Sequence, residues 1–249
     1  MAKDLFSKQA EVYAKYRPTY PQELIEYILS LTVNKEIAWD CATGNGQAAL
    51  LLAPYFQKIF ATDTSEKQLS QATPHPAVFY SISSAEKTSF DDNEFDLITV
   101  AQAYHWFRFD SFFNEATRVG KPNATVAVWG YGLITATDKK LDEFIRHFYT
   151  DVTGKYWDPE RRYVDEKYKT IPFEFKELPS KDFNINVEWN IEDLTGFFNT
   201  WSSVQHFIRA NHYNPVTEFS KELKLIWNDD SKKSFCFPLF LRIGRIENK

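Results

Sequence analysis

Apolar positions along the chain keep changing period, and the changes divide it into elements. Phe6, Ala10 and Tyr13 recur at i, i+4 and i+7, which predicts a helix that stops near Arg17, because Pro18 disfavours helical geometry in the residue before it. Pro21 opens a second helix with Leu24, Ile28 and Leu31 on one face. Strands then alternate with helices. Strands are predicted at Ile37–Asp40, Ile59–Thr62, Val78–Ile82, Phe95–Ala101 and Ala124–Gly130, and helices at Gln47–Tyr55, Glu66–Ala72 and about Asp110–Val119. Alternation of this kind implies right-handed βαβ units and a parallel sheet. Past Gly132 the rhythm breaks. Asp138–Thr150 reads as helical, and Phe183–Trp189 alternates with period 2, as a strand with one buried face. Two helices follow, one lined by Leu194, Phe198 and Trp201, the other opened by Asn214-Pro215 and lined by Val216, Phe219, Leu223 and Ile226. Ser234–Ile246 closes the chain as a strand, with Pro238 marking a bulge or an edge.

The expected architecture is a Rossmann-like α/β fold. Its sheet is doubly wound, seven-stranded and mostly parallel, with an antiparallel C-terminal strand and helical insertions. One domain is expected over residues 1–249: a helical cap at 1–31, a cofactor-binding core at 32–132, insertions at 133–230 and the closing strand at 234–246. Hydrophobic residues make up 43% of the 249, enough for a sizeable core and too many for disorder. The net charge of −5 is spread over both halves, so no basic footprint for nucleic acid is expected. Two cysteines exclude a disulfide scaffold or a cysteine-based zinc site, and no apolar run approaches a membrane span. The N-terminus has no apolar core of a signal peptide, so a cytoplasmic location is expected.

The informative segment is Trp39-Asp40-Cys41-Ala42-Thr43-Gly44-Asn45-Gly46-Gln47, between a strand and a helix. Glycines there let backbone approach a ligand closely, and Gly44-x-Gly46-x-x-Ala49 also fits the dinucleotide fingerprint. Two acids bear on the choice. Asp63 ends the second strand, where a carboxylate accepts both hydroxyls of a ribose. Asp40 sits at the carboxyl end of the first strand, where its charge repels a pyrophosphate and favours a cationic ligand. S-adenosylmethionine, with a ribose, a sulfonium and an ammonium but no phosphate, suits both acids.

On these residues the chain resembles the class I S-adenosylmethionine-dependent methyltransferases. Within them it is similar to the type 11 group that includes trans-aconitate methyltransferases. The acid and GxGxG of the family's first motif appear as Asp40-x-Ala42-x-Gly44-x-Gly46. The ribose acid maps to Asp63 beside Thr64, the adenine-flanking residue to Gln68, and the adenine-reading pair to Ala85-Glu86. Ala101-Gln102-Ala103-Tyr104-His105-Trp106-Phe107 resembles the group's QA-x-HW signature. Phe6, Tyr13, Arg17, Pro18, Tyr20 and Pro21 match its N-terminal pattern, and Leu194–Ser203 and Pro238–Gly244 extend the likeness over nearly the whole chain. The resemblance implies S-adenosyl-L-methionine as cofactor. It implies a cofactor site of Tyr13, Arg17, Asp40, Ala42, Thr43, Gly44, Gly46, Gln47, Asp63, Thr64, Gln68, Ala85, Glu86 and Ala101. Ala42 replaces the first glycine of the motif, which requires ordinary backbone angles at that residue. Val119-Gly120-Lys121-Pro122-Asn123 departs from the family's ending there and reads as an exposed turn of little consequence.

His105 follows the fourth strand, near where a methyl group would sit, and is the candidate base or orienting donor. Tyr20, Tyr104, Trp106 and Trp201 are candidate walls for the acceptor, with Tyr104-His105-Trp106 as its floor. The roof is expected from Tyr13, Arg17 and the segment Trp201-Ser202-Ser203, with Arg17 facing the cofactor's carboxylate or an acidic substrate. His75, His147, His206 and His212 show no metal spacing, so no metal is expected. Arg161-Arg162 and Lys232-Lys233 read as solvated. The activity implied is methyl transfer to a small acceptor, with a carboxylic acid suggested by the trans-aconitate likeness. An NAD(P)-dependent reductase and a non-catalytic S-adenosylmethionine binder are the alternatives.

Overall fold

A computed structural model describes residues 16–227 and 231–247. The helix expected around Phe6, Ala10 and Tyr13 lies outside the described residues, apart from its last positions. The elements in chain order are α1 (Gln22–Leu31), β1 (Ile37–Cys41), α2 (Gln47–Leu52), β2 (Lys58–Asp63), α3 (Glu66–Leu69), β3 (Val78–Ile82), β4 (Phe95–Ala101), α4 (Phe109–Val119), β5 (Gly120–Tyr131), β6 (Thr135–Ala136), α5 (Lys139–His147), α6 (Arg161–Asp165), β7 (Lys176–Glu177), β8 (Phe183–Trp189), α7 (Ile191–Asn199), α8 (Ser202–Asn211), α9 (Pro215–Ile226) and β9 (Lys233–Arg245).

The sheet runs β3-β2-β1-β4-β5-β9, with β1 to β5 parallel and β9 antiparallel to β5. Leu239 of β9 pairs with Tyr131 of β5 and with Phe183 of β8, so β8 lies on the far side of β9 from β5. The seven expected strands are those of five residues or more. The two-residue strands β6 and β7 are additions, each pairing with one end of β9. Pro238 is neither at a sheet edge nor in a bulge. Its carbonyl accepts from Gly132 N in the gap where β5 has ended and β6 has not begun, so its missing N–H faces no strand that needs it.

Alternation along the strands sorts the core onto two faces. Ala38, Leu97, Ala127 and Trp129 point to the side covered by α1, α2 and the insertion, while Trp39, Ile98, Val126 and Val128 point to α4. The insertion holds three helices after β8 where two were expected. The residues from Ser202 to Asn211 form a helix of their own, because Trp201 is an extended N-cap that ends the run from Ile191. Ile226, expected on the buried face of the last helix, is 41% exposed at its frayed end.

The segment after α4 is not an exposed turn. Gly120 is buried and starts β5, opposite Phe95. Lys121 reaches back to the buried carboxylate of Asp96, at 2.8 Å, and that carboxylate also accepts the backbone N–H groups of Glu36 and Ile37. This ties the start of β5 to the starts of β1 and β4. A Cβ on Gly120 would lie 2.2 Å from Ile246 Cδ1 and 2.9 Å from the carbonyl oxygen of Ala116, and the second of these is backbone that cannot swing away. Gly120→Ala should therefore cost about 1–3 kcal/mol, the usual scale of overpacking. Denaturant unfolding would check this; an unchanged midpoint would mean that the junction is as tolerant as an exposed turn.

Candidate active site

The strand order reverses between β1 and β4, and in an open α/β sheet the crevice beyond the carboxyl ends at that point takes the ligand. A cleft of about 770 Å³ lies there, within the usual range for a cofactor site. Of the expected cofactor residues, Arg17, Ala42, Thr43, Gly44, Gln47, Asp63, Thr64, Gln68, Ala85, Glu86 and Ala101 line it, as does Tyr20. Tyr13 lies outside the described residues. Asp40 and Gly46 are not in its wall.

Asp40 is fully buried beneath the β1–α2 turn, its carboxylate taking hydrogen bonds from the hydroxyls of Thr43 and, at 2.8 Å, Thr99. It therefore shapes the turn rather than pointing at a ligand. Burial pushes its pKa up to about 6, against the lowering effect of the two threonines. Gly46 stands at φ +86°, and a Cβ there would come within 2.4 Å of the Tyr80 hydroxyl, so this glycine permits a close packing contact. Ala42 does not have ordinary backbone angles: its φ is +54°, a conformation in which a methyl is strained.

Asp63 fixes the turn from the other side. Its two oxygens accept the N–H groups of Gly44 (2.9 Å) and Ser65 (2.8 Å). The residue also lines the cleft at the carboxyl end of β2, where a carboxylate meets a ribose in folds of this kind. Glu86 accepts from the Ser84 hydroxyl and the Arg108 N–H, which holds it in the wall. Gln68 is only 4% exposed, and its Oε1 has no hydrogen-bond partner among the described residues although the side chain borders the cleft. An unsatisfied buried oxygen of this kind is costly unless a ligand satisfies it. Counting the wall gives four acids (Asp63, Glu66, Glu86, Glu160) against two bases (Arg17, Lys67), a balance that suits a cationic ligand better than a pyrophosphate.

A second cavity of about 60 Å³ adjoins the cleft, and both are bordered by Arg17, Gln102, Trp106 and Tyr131. The smaller cavity also takes His105, Trp201 and Ser202, and from the insertion Trp157, Asp158 and Arg161. Tyr104 is in neither wall. It is 1% exposed in an aromatic cluster with Phe107, Phe112 and Tyr168, and its hydroxyl donates to the carbonyl of Pro172. Ser203 is fully buried and likewise contributes no wall. His105 shares a 2.8 Å hydrogen bond through Nδ1 with the Tyr168 hydroxyl. Burial, reinforced by the nearby charge of Arg161, lowers its pKa to about 3, so the ring is neutral at physiological pH.

Gln102 lay in the matched signature without a role assigned to it, and Tyr131 and Arg161 were not among the expected site residues. Gln102 adopts φ +56° just after β4, where a polar residue ending an apolar strand was the available signal. Its side chain accepts from Tyr131 N (2.9 Å) and donates to Tyr131 O (3.2 Å). Tyr131 continues β5, and its hydroxyl accepts from Arg17 Nη1 at 2.6 Å. Arg161 was expected in solvent. Its side chain is 18% exposed and packed on rings of Trp157 and Tyr149, an environment that no local pattern signals. Of the other histidines, His206 bonds the Tyr156 carbonyl and His147 pairs with Asp151. Among the described residues no group of three metal-ligating side chains converges, and no helix is long and apolar enough to cross a membrane.

Comparison with known proteins bears on these cavities. Residues 39–128 match a family described as a methyltransferase domain. A Dictyostelium discoideum protein named as a methyltransferase is 32% identical over 251 residues, covering 98% of this chain and 95% of its own. A structure from Anaeromyxobacter dehalogenans, described as a type II methyltransferase, is 34% identical with a TM-score of 0.86, covering 94% of this chain and all of its own. Phosphoethanolamine N-methyltransferase 2 of Haemonchus contortus, solved with phosphomonomethylethanolamine and S-adenosylhomocysteine, shares the fold at 15% identity and a TM-score of 0.50, over 96% of this chain and 57% of its own.

The state of Asp40 has a measurable consequence. Its pKa rises from 3.8 to about 6 on folding, so the native state holds an extra proton between those values. Stability due to this group therefore falls as pH rises through that window. His105 acts in the opposite direction: its folded pKa is depressed to about 3, and its contribution rises with pH up to the ordinary value of 6.5. Asp40→Asn should remove the falling component, so the stability difference between variant and wild type should shift in the variant's favour from pH 4 to pH 6. Urea unfolding across that range measures it, and a pH-independent difference would contradict a desolvated carboxylate.

Proposed function

The chain belongs to the class I S-adenosylmethionine-dependent methyltransferases, and from that membership we propose that it transfers the methyl group to a small acceptor bearing a carboxylate. The observation that carries the proposal is the pair of adjoining cavities, the larger acidic-walled and the smaller bordered by two arginines and a neutral histidine. A second cavity of only about 60 Å³ favours a small molecule over a nucleic-acid acceptor.

The described residues fit the cofactor. Asp63 lines the cleft at the end of β2, the position of a ribose-binding acid, with Thr64 beside it, and the unpaired Gln68 Oε1 offers an acceptor for a polar ligand atom. Ala85, Ala101 and Ala103 present small side chains where a flat or close-fitting group must pass. Asp40 supports the turn from below through Thr43. When bound, S-adenosylmethionine supplies an electrophilic methyl on a sulfonium. The protein's part is alignment and exclusion of water.

Trp106, Gln102 and Tyr131 border both cavities, so they form the passage in which acceptor and methyl group meet. Arg17 stands at the same junction, its guanidinium held by the Tyr131 hydroxyl and the Thr200 carbonyl and stacked on Phe197. A histidine with a pKa of about 3 is a poor base at neutral pH. A carboxylate needs no base, since it is already an anionic nucleophile. His105 then orients the acceptor. If Tyr168 donates to Nδ1, the neutral ring carries its proton on Nε2 and can donate to an acceptor oxygen.

Calorimetric titration with S-adenosylhomocysteine and NADH side by side tests the cofactor assignment. S-adenosylhomocysteine should bind one to one, and Asp63→Ala should weaken it by about 1–3 kcal/mol, the scale for unpaired buried hydrogen bonds. Tight NADH binding without S-adenosylhomocysteine binding would defeat the assignment. Methyl transfer to a panel of carboxylic acids, phenols and amines, read by product mass, tests the acceptor. Methylation confined to phenols or amines would overturn the carboxylate.

A further inference from the structure

Two consecutive residues at the start of α6 border different cavities. Glu160 lies in the wall of the large cleft, its Oε2 buried without a partner among the described residues, and Arg161 lies in the wall of the small one. Arg161 is built in. Its Nε donates to the Tyr149 hydroxyl (2.9 Å) and to Asp165 Oδ1 (3.2 Å), and its guanidinium lies over the rings of Trp157 (4.7 Å) and Tyr149 (5.3 Å). These contacts engage only Nε and the flat faces. No hydrogen bond to Nη1 or Nη2 occurs among the described residues, so the two terminal nitrogens remain as a fork on a cavity-lining side chain. The other cation of that cavity, Arg17, donates from both terminal nitrogens to protein oxygens. Asp158 is the acid in the same wall, 3.7 Å from His206, and the cavity's formal charge with His105 neutral is positive: two arginines against one aspartate.

We propose that Arg161 is a specificity-determining residue, holding an anionic carboxylate of the acceptor other than the group that is methylated. The inference rests on the carboxylate-acceptor reading above and deepens it. A planar guanidinium fork matches a carboxylate bidentately, and its stacking on Trp157 and Tyr149 fixes it before binding. A carboxylate gripped in this way has its charge neutralised and its lone pairs engaged, so it is an anchor and not a nucleophile. The nucleophile is a second carboxylate nearer the Trp106 passage. Its oxygen forms the bond to the methyl carbon while the carbon–sulfur bond breaks and sulfur keeps the pair. An anion and a sulfonium become a neutral ester and a neutral thioether, and no proton is transferred. His105, fixed through Tyr168, supplies a neutral donor in the same wall.

The test is calorimetric, on full-length protein saturated with S-adenosylhomocysteine, titrated with succinate, glutarate, adipate and phthalate and with the diamide of each. At least one diacid should bind and its diamide should not. Arg161→Gln should weaken that diacid by about tenfold to a hundredfold, the range of a charge-assisted pair, and leave S-adenosylhomocysteine affinity unchanged. Arg161→Lys, which keeps charge but not the fork, should recover only part of the loss. Equal binding of diacid and diamide, no diacid binding, an unaffected Arg161→Gln, or an equal loss of S-adenosylhomocysteine affinity would each overturn the proposal. Failure of wild type to bind S-adenosylhomocysteine would instead strike at the cofactor assignment. Diacid binding without methylation of any acid would strike at the carboxylate-acceptor reading and remove the inference with it.

Discussion

Gln102 occupies the point on which the two cavities depend. β4 ends one residue before it, and its left-handed backbone turns the chain away from the sheet while its amide spans to the backbone of Tyr131 at the end of β5. The Tyr131 hydroxyl takes Arg17, and Arg17 reaches on to the Thr200 carbonyl at the end of α7. Four hydrogen bonds thus connect the parallel sheet, the segment before α1 and the helical insertion. Gln102, Tyr131 and Arg17 also form the border between the two cavities. Alignment of two ligands needs such a border to be rigid, since small displacements of reacting groups cost large factors in rate.

Buried ionisable groups on either side of that border are arranged to opposite effect. Asp40 is desolvated below the cofactor turn and has its pKa raised, at the cost of keeping a carboxylate in the interior. Two threonine donors partly compensate. His105 is desolvated on the acceptor side and kept neutral by burial and by Arg161. The smaller cavity therefore presents fixed arginine charge and a neutral imidazole, not a mobile proton.

The insertion between β5 and β9 is held by aromatic packing rather than by regular backbone alone. Phe148, Phe198, Trp201 and Phe219 form one contiguous cluster, and Tyr149, Trp157 and Trp201 form another beside the small cavity. Large rings bury much area while losing little rotamer freedom, and they give cations a surface to lie on. The abundance of aromatics, 17% of the chain, thus serves both the core of the insertion and the pocket it carries.

Strand and helix periods, the glycine turn and the acid ending β2 were legible in the sequence because each depends on neighbours within a few positions. The parallel core from Ile37 to Tyr131, the strand Phe183–Trp189 and the presence of a closing strand follow from such local patterns. So does most of the cofactor wall, since it is built from the residues that end successive strands. What the sequence could not specify was set by contacts between distant segments. Asp40 went beneath the turn because Thr43 and Thr99 meet it there. Tyr104 joined the core because Phe112, Tyr168 and Pro172 surround it. Gly120 and Lys121 became a junction through Ile246 and Asp96. Arg161 left the solvent because Tyr149 and Trp157, on the preceding turns, give its flat faces a place to stack in the cavity wall. Periodicity records which side of an element is apolar. Which side chain then meets a ligand and which meets the core depends on packing between elements far apart in the chain, and only the tertiary structure decides it.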